Sequence, residues 1–282
     1  MKNILVPTDF SEVAKNALKF AIKIAHPLRA RIILFHTEAP LLITSDMGGY
    51  IYAEAETEKN KEIHEQMNDW VDFVKSHNVY VDKLIHKGIL KDTIADIIEH
   101  EEISLVVTGT HGAKGIEAFF FGTNSVDIIE KVKCPVLVVP TSAHYHGIKK
   151  IMYATDLQYG DIHELAKIAE IAKPFNAEII VMHISSDSEK MVEEKENLDW
   201  FAEIGDSNIA YKNITYKLVY DDDVVEALDN AITVLDIDIL CMSTVEKDFF
   251  KKITSKLSVR SMAFHTNIPM MALHLEKENK LH

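Results

Sequence analysis

Short apolar segments of strand length alternate with amphipathic helical segments through the first half of the chain, and this alternation limits the fold more than any other feature. The apolar runs are nearly continuous, as in Ile32-Ile33-Leu34-Phe35, which is typical of a parallel strand covered on both faces. The intervening segments carry apolar residues at helical spacing. Such alternation predicts an α/β, Rossmann-like fold, an open parallel sheet with helices on both faces. The predicted strands span residues 2–7, 31–36, 79–86, 103–108 and 134–139.

The second half of the sequence repeats the first in a degenerate form. The segment Ile151-Met152-Tyr153-Ala154-Thr155-Asp156 is similar to Ile4-Leu5-Val6-Pro7-Thr8-Asp9 at an offset of 147 residues (151 − 4). Near the end of each half, Pro269 aligns with Pro135 at an offset of 134 (269 − 135). The smaller second offset places extra length in the first half, most simply in the loop of residues 39–52.

The repeat and the length together predict two tandem five-stranded domains. At 282 residues the chain exceeds the usual size of one domain. The predicted domains are residues 1–141 and 147–282, and the turn-rich segment between them contains Pro140 and Gly147.

Composition limits the partners and the compartment that we expect. A net charge of −14 repels nucleic-acid phosphates and anionic membranes, and the apolar runs are far shorter than the roughly 20 residues that span a bilayer. We therefore expect no nucleic-acid partner and no membrane association. The chain enters its first strand without a signal peptide, and Cys134 and Cys241 both lie in apolar strand segments, so a reducing cytoplasm is expected.

A glycine motif follows the fourth predicted strand. Gly109-Thr110-His111-Gly112 is separated by nine residues from Gly122-Thr123-Asn124-Ser125, which opens a predicted helix. Glycines let the main chain approach an anion closely, and the free N–H groups at a helix start attract it. These residues are candidates for a phosphate site. An ordinary turn followed by a Thr123 N-cap would explain the same residues.

The carboxyl ends of the predicted strands bring several polar and glycine residues to one edge of the sheet. Ligands of open α/β sheets bind outside these strand ends, where the strand order reverses. For Asp9 a second interpretation stays open, a carboxylate favoured by the start of the first helix together with Ser11. The residues expected at this edge are Asp9, Thr37, Gly88, Gly109 and Gly112.

The spacing G-x2-G-x9-G-[S/T], placed before the strand Cys134-Pro135-Val136, resembles the nucleotide-binding signature of the universal stress protein family. The opening Pro7-Thr8-Asp9 is similar to that family as well. The resemblance implies an adenine nucleotide alpha hydrolase-like fold that binds ATP, with Mg²⁺, along the glycine loop and beside Asp9. The ATP-binding residues that it implies are Pro7, Thr8, Asp9, Thr37, Gly88, Gly109, Gly112, Gly122, Thr123 and Asn124.

The second half lacks this motif. The offset of 134 replaces Gly109, Gly112, Gly122 and Thr123 by Ser243, Glu246, Lys256 and Leu257. A carboxylate at residue 246 would repel phosphate. We therefore predict one nucleotide site per chain, in the first half, and a structural role for Asp156 near the start of the next helix.

The resemblance implies a function in stress response and regulation with slow or no ATP hydrolysis. No general base beyond Asp9 and no catalytic residue is identified. The pair His144 and His146 lacks a third metal ligand, so no metal set is identified either. Two alternatives stay open, a nucleotide-independent scaffold and an adenylate-forming enzyme of related fold. The latter needs a serine- and glycine-rich loop where this chain has Pro7-Thr8-Asp9-Phe10-Ser11.

The last strand of each half is an apolar edge that needs cover. These strands are predicted over residues 135–139 and 269–273. The resemblance implies contact through this strand across a two-fold axis. We expect an intrachain pseudo-symmetric dimer with the two strands adjacent, and further homo-oligomerisation is optional.

Overall fold

The computed structural model of the chain describes residues 2–38, 49–110, 123–157, 160–244 and 267–274. Strands and helices alternate through both halves, as predicted. The first half contains β1 (Lys2–Pro7), α1 (Glu12–Leu28), β2 (Ala30–Glu38), α2 (Gly49–Lys75), β3 (Val81–Lys87), α3 (Leu90–His100), β4 (Ile103–Gly109), α4 (Thr123–Lys131) and β5 (Val136–Val139). The second half contains β6 (Lys150–Ala154), α5 (Asp161–Ala172), β7 (Glu178–Ser185), α6 (Met191–Asn208), β8 (Ile214–Tyr220), α7 (Val224–Leu235), β9 (Ile239–Thr244) and β10 (Met270–His274).

All ten strands form one continuous sheet in the order β3-β2-β1-β4-β5-β10-β9-β6-β7-β8. Every strand pair within a half is parallel. The two predicted five-stranded parallel sheets are joined into this one, because β5 pairs antiparallel with β10. The expected adjacency of the terminal strands is confirmed. Each apolar edge covers the other, so neither is left as a template for another chain.

Strand register confirms both repeat offsets. Ile4 pairs with Leu105 in the first half, and Ile151 pairs with Ile239 in the second. The step from Ile4 to Ile151 is the predicted 147, and the step from Leu105 to Ile239 is the predicted 134. The strand order within each half is also the same. The two halves are therefore structural repeats, and residues can be compared position by position.

The two faces of the sheet carry different cores. On the face covered by α1 and α5, one apolar cluster runs through both halves and crosses the junction at Leu137 and Met271. On the opposite face there are two clusters, one in each half, and Ala272 of β10 belongs to the cluster of the first half. The linker is also held in place, since the Asn16 amide nitrogen of α1 donates to the carbonyl oxygens of Pro140 and Ala143 at 2.9 and 3.1 Å. The larger shared core therefore lies on the face of α1 and α5.

Side-chain caps hold the starts of α1 and α7. The Ser11 hydroxyl accepts a hydrogen bond from Ala14 N and caps α1. Asp223, the last residue of the run Asp221-Asp222-Asp223, caps α7 by accepting from the N–H groups of Val225 and Glu226, which gives this carboxylate a structural role. Within the described part of the chain, no helix is long and apolar enough to cross a membrane.

Candidate functional site

A crevice of about 370 Å³ lies at the carboxyl edge of the first half, beside the starts of α1 and α4. It sits where the strand order reverses between β1 and β4, the position at which ligands of open α/β sheets bind. Six of the residues proposed from the sequence line it, namely Pro7, Thr8, Asp9, Thr37, Gly109 and Asn124. The structure therefore brings together residues from four separate elements.

The remaining proposed residues have other placements. Gly88 follows β3, where its N–H donates to the Glu38 carbonyl oxygen at 2.9 Å, and it is not among the residues lining the crevice. Its backbone φ of +149° lies in the region that favours glycine. Thr123 is the first residue of α4. Gly112 and Gly122 lie outside the described residues.

Asp9 and Ser11 lie between β1 and α1. The Asp9 side chain is exposed at the crevice, and its Oδ1 accepts a hydrogen bond from Ser11 N at 3.0 Å. Both interpretations of Asp9 thus describe its position, because the carboxylate supports the turn before α1 and also lines the crevice. A ligand meeting this carboxylate would find a hydrogen-bond acceptor whose orientation is already fixed.

Gly109 is required by the close approach of α1. A Cβ atom at this position would lie 2.5 Å from Val13 Cγ1 and 2.8 Å from the Val13 carbonyl oxygen. Both distances are shorter than real Cβ contacts, so any side chain would push α1 away from β4. The sequence analysis explained this glycine by the close approach of an anion, whereas in the structure Val13 of α1 makes the close approach.

Ser125 and His36 also line the crevice, although neither is among the ATP-binding residues that the resemblance implies. The buried Ser125 hydroxyl donates to the Gly109 carbonyl oxygen at 2.8 Å and ties α4 to the end of β4. His36 Nδ1 donates to the Thr8 carbonyl oxygen at 2.7 Å. In the sequence, only position pointed to these two residues. Ser125 lies in the predicted helix start after Gly122, and His36 ends the second predicted strand.

A small aromatic cluster supports the turn after β1. Phe10 has a backbone φ of +63°, an uncommon value for a residue with a side chain. Its ring contacts His36 at a centroid distance of 4.7 Å and Trp70 at 5.6 Å. These contacts hold the turn that presents Thr8 and Asp9 to the crevice.

The corresponding edge of the second half is occupied by protein side chains. The Tyr153 hydroxyl donates to Asp161 Oδ1 at 2.7 Å, and the Thr155 hydroxyl donates to Asp161 Oδ2 at 2.5 Å. Ser243 Oγ lies 2.5 Å from the Tyr153 hydroxyl. Burial, followed by the charge of Asp161, raises the pKa of Tyr153 well above its usual value. We call these four residues the second-half network.

One turn along α5, a second carboxyl group lies in the same interior. Glu164 is 2% exposed. Its Oε1 accepts from Lys167 Nζ at 2.8 Å, and its Oε2 is buried without a hydrogen-bond partner among the described residues. Burial is the main cause that raises the pKa of Glu164, and the Lys167 ammonium opposes it.

The described residues contain no cluster of three or more His, Cys, Asp or Glu side chains that would hold a metal ion. Cys134 and Cys241 are both free thiols. Burial raises the pKa of Cys134 to about 12 and also raises that of Cys241. Neither thiol has the acidity that a nucleophile or a metal ligand needs.

The fold and the site define a class of protein. It is a Rossmann-like α/β protein with a crevice at the carboxyl edge of one half. The sequence profile of the Universal stress protein family matches residues 1–140. Universal stress protein MJ0531 of Methanocaldococcus jannaschii is 28% identical over 145 residues, which cover 49% of this chain and 81% of that protein. Residues 1–140, the part of the chain that the profile matches, belong to the universal stress protein family.

Solved structures of the family share the architecture. The crystal structure of a universal stress protein from Archaeoglobus fulgidus has a TM-score of 0.69 at 16% identity, covering 97% of this chain and 98% of that chain. This likeness concerns the fold. A universal stress protein family protein from Arabidopsis thaliana, solved with AMP bound, covers 50% of this chain and 92% of that chain with a TM-score of 0.37 at 18% identity.

Proposed function

We propose that the first half binds one ATP, together with Mg²⁺, in this crevice, and that the chain acts in the cytoplasm in stress response and regulation. The observation that carries the proposal is the convergence of the Pro7-Thr8-Asp9 turn, Gly109 and the start of α4 on one crevice. These are the residues in which the sequence is similar to the family's nucleotide signature.

Local dipoles favour a phosphate group here despite the acidic chain. Two helices, α1 and α4, start at the crevice, where Ser11 and Asn124 line it. Unpaired N–H groups at a helix start carry partial positive charge. With a net charge of −14 on the chain, a divalent cation would offset the remaining repulsion. The site thus suits a Mg²⁺-bound nucleotide better than a free anion.

Hydrolysis of a bound nucleotide would depend on the titratable residues that line the crevice. Among the described residues, Asp9 and His36 are the titratable side chains at the crevice. The Asp9 carboxylate accepts a bond from Ser11 N, and His36 Nδ1 donates to the Thr8 carbonyl oxygen. With Nδ1 as the donor, His36 keeps Nε2 as an acceptor, so His36 and Asp9 are the candidate general bases among the described lining residues. We propose slow or no ATP hydrolysis on the ground of the resemblance to the family.

Calorimetric titration of nucleotide-stripped chain with ATP and Mg²⁺ tests the proposal. We expect one site per chain and about tenfold weaker binding in Asp9→Asn, the loss of one charge-assisted hydrogen bond. Asp156→Asn, at the same position of the second half, is the matched control and should bind as the wild type does. Two equivalent sites, or an equal loss in both variants, would contradict the proposal.

A nucleotide-independent scaffold is the second candidate. The continuous sheet and the filled second half favour it, because both are complete without a ligand. Absence of ATP binding by the stripped wild-type chain at millimolar ligand would support the scaffold and reject nucleotide binding.

A further inference from the structure

Three aligned positions differ between the two halves at the carboxyl edge. Where the second half has Tyr153, Asp161 and Ser243, the offsets of 147 and 134 place small residues in the first half. Those small residues are Val6, Ala14 and Gly109. Ala14 and Gly109 both line the crevice. The side-chain volume and the polar groups that fill the second half are therefore missing at the same positions of the first.

The threonine that ends the first strand of each half is common to both. Thr8 Oγ1 accepts a hydrogen bond from Phe10 N, and Thr155 Oγ1 accepts one from Leu157 N, each at 2.9 Å. The local backbone is also the same, with a positive φ of 63° at Phe10 and 59° at Leu157. The two hydroxyl groups are thus held in equivalent orientations.

Among the described residues, one of these two hydroxyl groups donates its hydrogen to a protein acceptor. Thr155 donates to Asp161 Oδ2 at 2.5 Å. In the part of the chain that the structure describes, the Thr8 hydroxyl has no such acceptor, since Ala14 stands in place of the aspartate. Thr8 is 7% exposed and lines the crevice. A buried donor without an acceptor costs free energy that a ligand oxygen would recover.

We infer that the Asp161 carboxylate is a built-in ligand of the second-half crevice and that an acceptor oxygen of the bound nucleotide takes the equivalent place over Ala14, held by the Thr8 hydroxyl. This inference rests on the proposed function and adds a specificity-determining contact to it. It explains the difference between the two halves. In the first half the acceptor oxygen comes from a bound nucleotide, and in the second half it comes from Asp161 of α5.

The first test removes the hydroxyl group and keeps the shape of the side chain. Thr8→Val should weaken Mg²⁺-ATP binding by about tenfold, the effect expected for one lost hydrogen bond in a closed site. Thr155→Val is the matched control, because it loses the same contact to the amide two residues on. That control should leave ATP affinity unchanged, and Thr8→Ser should restore most of the affinity. Equal affinity of Thr8→Val and wild type would overturn the inference.

The second test places the built-in acceptor in the first half. Ala14→Asn supplies a neutral acceptor oxygen at the position of Asp161, so it should compete with the ligand for the Thr8 hydroxyl and lower ATP affinity at least about tenfold. Circular dichroism and thermal unfolding would show that the variant is folded. A folded Ala14→Asn chain that binds ATP as tightly as the wild type would overturn the inference while leaving the proposed function intact.

Titration with adenosine identifies the acceptor. If the oxygen belongs to the nucleoside, Thr8→Val and Ala14→Asn should weaken adenosine and ATP to the same extent. If it belongs to a phosphate, only ATP binding should weaken. Failure of wild-type chain to bind either ligand would instead reject the proposed function, which separates the two failures.

Discussion

The two halves have the same sheet order and the same turn after their first strand, yet their described residues differ at the carboxyl edge, where the first half has an open crevice and the second has a hydrogen-bonded network. In the first half the helix start faces small residues, and about 370 Å³ remains free. In the second half Asp161 joins two strands through the hydroxyl groups of Tyr153 and Thr155. The backbone therefore sets where a site lies, and a few side chains decide whether it is available to a ligand.

The difference also separates two ways of satisfying polar groups at the carboxyl edge. A buried donor that has neither a ligand nor a protein acceptor lowers the free energy of unfolding. The second half pairs its donors internally, since its network connects β6, α5 and β9. The comparison predicts that substitutions in this network act on stability and that substitutions in the open crevice act on binding.

Asp161→Ala should have the largest effect on stability. The substitution gives the second half the residue that the first half has at this position, Ala14. The hydroxyl groups of Tyr153 and Thr155 lose their shared acceptor in a buried place, and we expect a loss of about 3 kcal/mol in the free energy of unfolding. Urea denaturation of the full chain measures it. Asp156→Ala is the exposed control and should cost less than about 0.5 kcal/mol. Similar losses in both variants would mean that the network contributes no special stability.

Gly109→Ala is expected to have the next largest effect. The added Cβ meets both the side chain and the carbonyl oxygen of Val13, so α1 must move, at a cost of about 2 kcal/mol. The same denaturation experiment applies. At the aligned position of the second half, Ser243→Ala adds no atoms and should cost about 1 kcal/mol through its lost contact with Tyr153. A Gly109→Ala chain as stable as the wild type would show that α1 is not held against β4.

Glu164→Gln should stabilise the chain by roughly 1 kcal/mol at pH 7.5, because it removes a buried charge that is incompletely satisfied. Since burial raises the pKa of Glu164, the folded state binds the proton more tightly than the unfolded state does. The contribution of Glu164 to the free energy of unfolding of the wild-type chain therefore increases as the pH falls through the raised pKa. The advantage of glutamine should shrink accordingly between pH 7.5 and pH 5, as measured by thermal unfolding. An advantage that grows as the pH falls would contradict the assigned direction.

The smallest effect is expected for the ion pair that joins the halves. Lys2 Nζ lies 3.4 Å from Glu170 Oε2, and both side chains are substantially exposed. Solvent screening limits such a pair to less than about 0.5 kcal/mol. Lys2→Met, which keeps the aliphatic stem, should leave urea unfolding nearly unchanged. A loss above about 1 kcal/mol would show that the halves depend on this contact rather than on their shared core.

The sequence predicted the strand and helix alternation, the repeat and its two offsets, because apolar periodicity is a local signal. It also predicted the contact of the two terminal strands, since each was an apolar edge. It left the register of that contact open, because the pairing that joins both sheets into one of ten strands depends on how two distant strands align.

The second-half network was not predicted for a different reason. Tyr153 reads as a core residue of an apolar strand and Asp161 as a carboxylate at a helix start, and both descriptions are true. The hydrogen bond between Tyr153 and Ser243 joins residues 90 positions apart, and no local sequence pattern indicates such a contact. For Gly109, the sequence identified a close approach but assigned it to the ligand, whereas the distances assign it to Val13 as well.

The antiparallel junction has a consequence for the order of events on the ribosome. Strand β5 ends at Val139, and its partner β10 begins at Met270, so 131 positions (270 − 139) separate them. At synthesis rates of about 5–20 residues per second, the first half waits roughly 7–26 s with the outer edge of β5 unpaired. During that interval another nascent chain at the same stage offers the same strand. Newly made chains are therefore most prone to pair with one another before their own last strand arrives, and slower translation of the second half would lengthen that exposure.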